Sequence, residues 1–265
     1  MLKKFRTALP DRVASKVRTN TTIRRLMGRD RMTVGVGVGL KFDPGPSNVA
    51  YASGASELPF QDALAASTKA GDVFYDIGAN VGFFSVIGAR LVGPAGLVYA
   101  FEPVPSNAEF VRSNAKSNGF KNVVVHEKAV SSTSGQGELT LAAYSGGAAL
   151  SNVPKPPDAT SVLPVALIAI DDLVVGQGAP PPSVVKIDVE GAELDVLQGM
   201  RQVLVSNRPI VLFEIDDHDQ DQFDRKYDAC ATYLTSFNYQ VTRLPDSYPN
   251  TNWLVGHAIA TPASR

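Results

Sequence analysis

The feature that most constrains the fold is a glycine turn between a strand-like and a helix-like segment, within residues 71–89. Residues 73–75 are β-branched or aromatic, as expected of a buried strand, and Asp76 closes it. Gly78 and Gly82 bracket the turn, after which apolar and small residues recur at helical spacing. Gly78 can adopt a positive φ, and its missing Cβ would let a ligand approach the main chain. This order predicts the ligand-binding turn of a βαβ unit, with helix N-terminal amides facing the ligand.

The spacing of the turn favours a cationic nucleotide-like ligand over a dinucleotide. Dinucleotide sites read G-x-G-x-x-G, and the middle glycine admits the pyrophosphate. Here the turn reads Asp76-x-Gly78-x-Asn80-x-Gly82, so a side chain fills part of that space and a carboxylate ends the strand. S-adenosylmethionine (SAM) fits, because it carries an ammonium and a sulfonium but no phosphate. Glu102 ends the next predicted strand, where an acid binds ribose hydroxyls; the alternative is an ordinary turn with a solvated glutamate.

Length and composition indicate one large α/β domain. The chain has 265 residues, of which 44% are hydrophobic and 19% charged, as in globular proteins. No apolar run approaches the roughly 20 residues that span a bilayer, and the N-terminus lacks the apolar core of a secretory signal. The single cysteine, Cys230, excludes an internal disulfide, and the three histidines show no zinc-binding spacing. These features predict a cytoplasmic protein without a bound metal.

Positive charge is concentrated at the N-terminus. Residues 1–31 hold ten of the 25 Lys and Arg residues but only two of the 26 acids, with apolar residues at helical spacing. Such a segment could contact an anionic membrane peripherally, or pack on the domain or on a second subunit of a homo-oligomer. The acidic remainder argues against nucleic acid as a partner.

Strand and helix signals alternate from residue 71 onward. This alternation predicts a mostly parallel sheet with helices on both faces. Two closing strand signals, at residues 239–242 and 253–260, predict an antiparallel edge. Residues 145–164 are rich in Gly, Ser and Pro and are expected to form a flexible loop, either a lid or a plain linker.

The motifs, taken together, resemble the FkbM-type SAM-dependent methyltransferases. The matching runs are DIGANVG at 76–82, FEP at 101–103, KIDVEGAE at 186–193 and FEI at 213–215. The resemblance implies a Rossmann-like class I methyltransferase fold, with a seven-stranded, mostly parallel sheet, an antiparallel edge and helices on both faces. It also implies O-methylation of a hydroxyl on a sugar, glycan or secondary metabolite.

The charge pattern and the strand and helix signals predict the domain limits, and the resemblance implies the cofactor site. The expected organisation is a basic extension at 1–31, a strand and helix lead-in at 32–70, and the methyltransferase domain at 71–265. The SAM-binding residues that the resemblance implies are Asp76, Gly78, Asn80, Gly82, Glu102, Pro103, Asn107, Ala129 and Val130.

Catalytic candidates follow from the chemistry of methyl transfer. Transfer from a sulfonium needs alignment of the acceptor oxygen, and an alcohol acceptor benefits from a base. Three residues at or beyond the carboxyl ends of the fourth and fifth core strands are candidates: Asp188, Glu190 and His218.

Each candidate has an alternative role. Asp188 could form a salt bridge to Lys186, Glu190 could cap the next helix, and His218 could be an exposed loop residue. A second possibility is that Asp188, Glu214 and Asp216 bind Mg²⁺, although the resemblance supplies no metal. His126 and His257 are expected to be structural.

Two other functions remain open from the sequence. An NAD-linked Rossmann oxidoreductase would use the same turn and Glu102, but the middle glycine and a Tyr-x-x-x-Lys pair are missing. A non-catalytic glycan-binding module is the third alternative.

Overall fold

The computed structural model describes residues 30–45, 47–142, 148–150, 159–248 and 253–263. Nearly all of the predicted basic extension therefore lies outside the described residues, as does most of the predicted flexible loop. None of the helices within these ranges has the length and apolar character needed to cross a bilayer.

Seven strands of the described residues form a central sheet, and four more form a second sheet. In chain order they are β1 (Val73–Ile77), β2 (Leu97–Phe101), β3 (Val123–His126), β4 (Ala129–Val130), β5 (Gly135–Ala142), β6 (Ala148–Leu150), β7 (Ala159–Ile168), β8 (Val184–Ile187), β9 (Ile210–Asp217), β10 (Tyr239–Arg243) and β11 (Leu254–Pro262). The central order is β10-β11-β9-β8-β1-β2-β3, and β11 alone runs antiparallel to its neighbours. This confirms the predicted mostly parallel sheet with an antiparallel edge.

Helices cover both faces of the central sheet. They are α1 (Leu58–Ser67), α2 (Phe83–Val92), α3 (Pro105–Ser117), α4 (Glu193–Gln198), α5 (Arg201–Ser206) and α6 (Gln220–Thr235). Alternate strand residues belong to opposite cores: Phe74 packs with α1 and α2, whereas Tyr75 packs with α4 to α6. Because side chains alternate along a strand, two apolar faces require the nearly continuous apolar runs that these strands have.

The second sheet has the order β4-β7-β5-β6. It begins directly after β3, and β7 pairs antiparallel with β5 from Ala142–Ala159 to Gly135–Leu167. Residues 148–150 and 159–164, which the sequence predicted to be loop, are strands of this sheet. The prediction of a continuous flexible loop at 145–164 is therefore wrong for those residues, because pairing with β5 satisfies their backbone.

Residues 30–45 and 47–57 pack along α2 and α3 and reach the carboxyl edge of the central sheet at Ser47 and Glu57, instead of forming the predicted strands. A single bridge between Arg31 and Lys41 is the β-pairing there, within the described part. Asn114 of α3 and Asn118, which follows the last residue of α3, hold this segment. Asn118 bonds both the amide and the carbonyl of Lys41, and Asn114 bonds both those of Asp43. The segment is thereby fixed against the helix that follows β2.

Candidate functional site

The carboxyl ends of β1, β2, β8 and β9 bring acidic side chains to one edge of the sheet. Glu102 and Asp188 follow β2 and β8, Asp76 is the penultimate residue of β1, and Glu214 lies on β9 just beyond the last residue paired with β8. Because β1, β2, β8 and β9 are parallel neighbours, their carboxyl ends meet at the same edge. Asp76, Glu102 and Asp188, which the sequence predicts at strand ends, therefore lie at one edge of the sheet.

A buried lysine links two of these acids. Lys186 Nζ lies 3.3 Å from Asp76 Oδ1 and 3.2 Å from Asp188 Oδ2, and it donates a 2.6 Å hydrogen bond to the Gly78 carbonyl. Burial alone would lower the pKa of Lys186, but the Asp188 and Asp76 carboxylates raise the pKa above its usual value. Lys186 is therefore a permanent ammonium. Asp188 forms the expected salt bridge, yet its side chain stays 29% exposed and open to a ligand.

The glycine turn fits closely against the neighbouring strand. Gly78 has φ 75°, and a Cβ there would lie 1.7 Å from the Asp188 carbonyl oxygen. The missing Cβ therefore makes room for the backbone that follows β8. The sequence had suggested that it would make room for a ligand. Gly82 has φ 86°, and a Cβ there would lie 3.0 Å from Val111 Cα of α3.

The amides of the turn are already paired within the protein. Gly78 N and Ala79 N both donate to the Phe101 carbonyl, at 3.1 and 2.9 Å. Asn80 N donates to Glu102 Oε2 at 2.8 Å. A pyrophosphate-binding turn needs such amides for the ligand. The arrangement therefore does not fit a dinucleotide.

Glu102 is a buried acceptor at the end of β2. It is 5% exposed, and its second carboxylate oxygen, Oε1, accepts from Val104 N at 2.9 Å. Burial raises the pKa of Glu102 to about 7, although the backbone bonds from Val104 and Asn80 and a side-chain bond with Asn107 lower it. A carboxylate oxygen has two lone pairs, so each oxygen retains capacity for a further donor.

The remaining residues of the predicted cofactor site surround Glu102 or lie in the second sheet. Pro103 follows Glu102 directly, and Asn107 lies in α3. Ala129 and Val130 form β4 and are almost completely buried in hydrophobic clusters. Their side chains therefore offer a ligand little surface.

The catalytic candidates differ sharply in their surroundings. Glu190 has φ 56°, a left-handed conformation that is unusual outside glycine. Burial, together with the Asp216 and Asp188 carboxylates, raises its pKa well above the usual value. The helix-cap alternative for Glu190 is not seen, because α4 begins at Glu193 and the Glu193 carboxylate accepts from Gly191 N.

His218 lies outside this group of buried carboxylates. Its side chain is 76% exposed, with Nδ1 3.0 Å from Asp217 Oδ1. The ring stacks on Trp253 at a centroid distance of 5.7 Å. This is the environment of an exposed loop histidine, the alternative noted from the sequence.

A second group of polar residues, here named the Glu57 cluster, was missed by the sequence reasoning. It consists of Glu57, Glu214, Tyr248 and His257. His257 Nε2 lies 2.6 Å from Glu214 Oε2 and 3.7 Å from Glu57 Oε2, while the Tyr248 hydroxyl donates to Glu57 Oε1 at 2.8 Å. The predicted structural role of His257 omitted these contacts.

Burial dominates the electrostatics of the Glu57 cluster. It lowers the pKa of His257 to about 4, so the imidazole is neutral near pH 7. It raises the pKa of Glu57 to about 7, and the charge of Asp188 adds to this effect. Burial and Asp188 likewise raise the pKa of Glu214. The influence of Asp188 on both glutamates shows that the cluster adjoins the edge site.

Comparisons with known proteins agree with the motifs. Over 136 residues the chain is 31% identical to hexuronic acid methyltransferase AglP of Haloferax volcanii, covering 51% of this chain and 52% of AglP. The 31-O-demethyl-FK506 methyltransferase FkbM of Streptomyces tacrolimicus is 26% identical over 178 residues, covering 57% of this chain and 68% of that protein. The chain thus spans about half the length of AglP.

A solved structure and a family match complete these comparisons. A crystal structure of methyltransferase FkbM from Methylobacillus flagellatus KT aligns with a TM-score of 0.49 and 16% identity, covering 80% of this chain and 54% of that chain. The methyltransferase FkbM domain matches residues 76–241, which is more than half of the chain and includes the glycine turn, Glu102 and the acids after β8 and β9. The chain belongs to the FkbM methyltransferase domain family.

Proposed function

We propose that this protein is a SAM-dependent O-methyltransferase that acts on a hydroxyl of a sugar, a glycan or another hydroxylated metabolite. The observation that carries the proposal is the carboxylate-rich edge of the sheet, where the amides of the glycine turn already donate to acceptors within the protein. The names of two relatives support the acceptor class, since one is a hexuronic acid methyltransferase and the other acts on a demethylated hydroxyl position.

The charge of the edge fits a cationic cofactor. Six carboxyl groups gather there, and within the described residues the lysines beside them are Lys186 and Lys226. The six acids are Asp76, Glu102, Asp188, Glu190, Glu214 and Asp216. When bound, SAM supplies a methyl group on a positively charged sulfur. A positive ligand favours the ionised form of these acids, whereas a pyrophosphate opposes it.

An unsatisfied acceptor in the turn also fits SAM. Asn80 Nδ2 donates to Ser47 Oγ at 3.3 Å, but Asn80 Oδ1 is buried without a hydrogen-bond partner among the described residues. Buried polar atoms are nearly always paired, so an orphaned oxygen indicates a missing donor. The ammonium of SAM is a donor of the required kind, and the Glu102 carboxylate would accept the ribose hydroxyls.

The acceptor hydroxyl needs a residue that takes its proton. Glu190 is the best candidate, because it follows β8 close to Asp188, and a raised pKa makes its ionised carboxylate a stronger proton acceptor. Its left-handed backbone conformation is the kind of local strain that clusters at active sites. Asp188, fixed by Lys186, would hold the positive end of the cofactor.

The affinity for S-adenosylhomocysteine (SAH) should rise with pH through the titration of Glu102. Ribose hydroxyls donate more strongly to an ionised carboxylate, and the pKa of Glu102 is raised to about 7. The protonated form dominates below pH 7, so calorimetry should show about three- to tenfold weaker binding at pH 6 than at pH 8.

The Glu102→Gln variant separates this effect from other titrations. It should bind SAH about ten- to a hundredfold more weakly at pH 8, since it loses charge-assisted hydrogen bonds, and its pH profile should be flat. The exposed Glu109→Gln on α3 is the matched control and should behave as the wild type. An unchanged profile in Glu102→Gln would show that another group titrates.

Asp188 and His218 should differ in their effect on SAH binding. Asp188→Asn removes a carboxylate that faces the site, and about tenfold weaker binding is expected for one lost charged contact. His218→Ala removes an exposed ring and should change the affinity by less than about twofold, with less than about 0.5 kcal/mol effect on unfolding. A larger effect of His218→Ala on SAH binding would place this histidine at the cofactor.

The activity is tested with a labelled methyl donor and a panel of hydroxylated acceptors that includes hexuronic acids. Transfer of label to an acceptor oxygen, lost in Glu190→Gln with SAH binding intact, is the expected result. Binding of NAD without binding of SAM or SAH would overturn the proposal in favour of an oxidoreductase. SAM binding with transfer to nitrogen or carbon would overturn the O-methylation.

A further inference from the structure

Three members of the Glu57 cluster place metal-ligating atoms around one point. A carboxylate oxygen of Glu57, a carboxylate oxygen of Glu214 and a ring nitrogen of His257 all lie within 4.8 Å of one another. We propose that Glu57, Glu214 and His257 bind a divalent metal ion. Of the acids that the sequence suggested for Mg²⁺, this set retains Glu214 only.

The fold brings these ligands together from three separate elements. Glu57 immediately precedes α1, Glu214 lies on β9, and His257 lies directly opposite Glu214 on β11. The β9–β11 pairing therefore fixes two ligands across a ladder, and the segment before α1 supplies the third. A site on rigid elements holds ligand geometry more accurately than one on loops.

The charges of the cluster call for a cation. Glu57 is 6% exposed and His257 3% exposed, and Glu214 Oε2 and Glu57 Oε2 both face His257 Nε2. Buried carboxylates are normally paired with a cation or with a metal. The ammonium of Lys186 acts on Glu57 and His257, but it is already engaged by Asp76, Asp188 and the Gly78 carbonyl.

The other atoms of the cluster orient the proposed ligands. Tyr248 donates to Glu57 Oε1, which leaves Oε2 directed at His257. On the far side of the imidazole, His257 Nδ1 lies 3.3 Å from Ser247 Oγ. Metal-binding histidines usually have such a partner on their second nitrogen, and binding carboxylates usually accept a hydrogen bond.

The ligand set indicates the class of ion. Two carboxylates and one imidazole suit Mn²⁺ or Zn²⁺ better than Mg²⁺ or Ca²⁺, which prefer oxygen alone. Three protein ligands leave coordination positions for water or for a substrate oxygen. The Glu214 side chain is 18% exposed, so the cluster is accessible from that carboxylate. Binding of the ion does not depend on the proposed function. Only a role of the ion in holding the acceptor oxygen rests on that function.

Manganese titration of the full chain, stripped with a chelator and followed by electron paramagnetic resonance, tests the site. We expect one bound Mn²⁺ per chain, displaced by Zn²⁺ but not by equal Mg²⁺. Glu57→Gln and Glu214→Gln should each weaken Mn²⁺ binding at least about tenfold, as expected for a lost charged ligand. Glu57→Gln keeps an oxygen for the Tyr248 hydroxyl, so the fold should be preserved.

The Asp216→Asn variant is the matched control. Asp216 is an acid of the same edge that lies outside the ligand set, and an asparagine can still accept from Trp253 Nε1. Its Mn²⁺ affinity should stay within about twofold of the wild type. Absence of stoichiometric binding would overturn the proposal, because the cluster would then only share protons. Equal weakening by Asp216→Asn would also overturn it, because Mn²⁺ would then be attracted to the acidic edge as a whole.

SAH calorimetry on the same stripped protein separates this proposal from the proposed function. Normal SAH binding without Mn²⁺ binding would overturn the metal site alone. Mn²⁺ binding that depends on Glu57 and Glu214, in a chain that binds neither SAM nor SAH, would support the metal site and overturn the methyltransferase proposal.

Discussion

Replacing Lys186 with methionine should lower the free energy of unfolding by about 3–5 kcal/mol, the usual cost of breaking a buried ion pair. Asp76 is 0% exposed. Without Lys186 it would keep the hydrogen bond from the Ser85 hydroxyl. It would lose the only ammonium that lies within 4 Å of it among the described residues. The isolated carboxylate would then carry an uncompensated buried charge. Denaturant unfolding at pH 7 measures the loss.

Two further variants test the cause of this loss. Arg112→Met breaks the half-exposed pair with Glu127 and should cost no more than about 1 kcal/mol. Adding Asp76→Asn to Lys186→Met should restore part of the stability, because the stranded charge is removed. A loss below about 1 kcal/mol in Lys186→Met would show that the buried pair contributes no more than a surface pair.

Replacing Gly78 with alanine should destabilise the protein by about 2–5 kcal/mol, the sum of a left-handed backbone cost and an overpacking cost. The new methyl group would lie 1.7 Å from the Asp188 carbonyl oxygen. That neighbour is backbone and cannot rotate away, so β1 and β8 would have to separate. Thermal and denaturant unfolding report the loss, and SAH binding should fall with it.

Gly119→Ala provides a control with nearly the same backbone angle. Gly119 has φ 74°, against 75° for Gly78, but a Cβ at Gly119 would meet no atom within 4 Å. It should therefore show only the conformational part of the cost, about 1–2 kcal/mol. Equal losses in the two variants would contradict the predicted clash with Asp188.

The sequence predicted those parts of the site that local patterns determine. A strand, a glycine turn and a helix within residues 71–89 locate the turn, because each element has its own periodicity. Asp76, Glu102 and Asp188 could be placed at one edge, because parallel strands share the position of their carboxyl ends. The pairing of Lys186 with Asp188 was within reach because side chains two residues apart on a strand point to the same side.

The Glu57 cluster could not be predicted, because its members lie far apart in the chain. Glu57 and His257 are 200 residues apart and meet only through the β9–β11 pairing and the path of the segment before α1. The paired state of the turn amides was also hidden, since it depends on the Phe101 carbonyl and the Glu102 side chain. Local propensity likewise missed β6 and the start of β7, where pairing with β5 overrides a loop-like composition.

The attachment of the segment at residues 41–43 to α3 has a consequence for the smallest piece of the chain that can fold. A fragment starting at residue 71 would keep every recognisable motif. It would lack Phe42, Phe60 and Leu64, which fill the same core as Phe74 and Phe84. The cooperative folding unit therefore begins upstream of the motifs, and a shortened gene product designed from the motifs alone would expose the apolar face under α1 and aggregate.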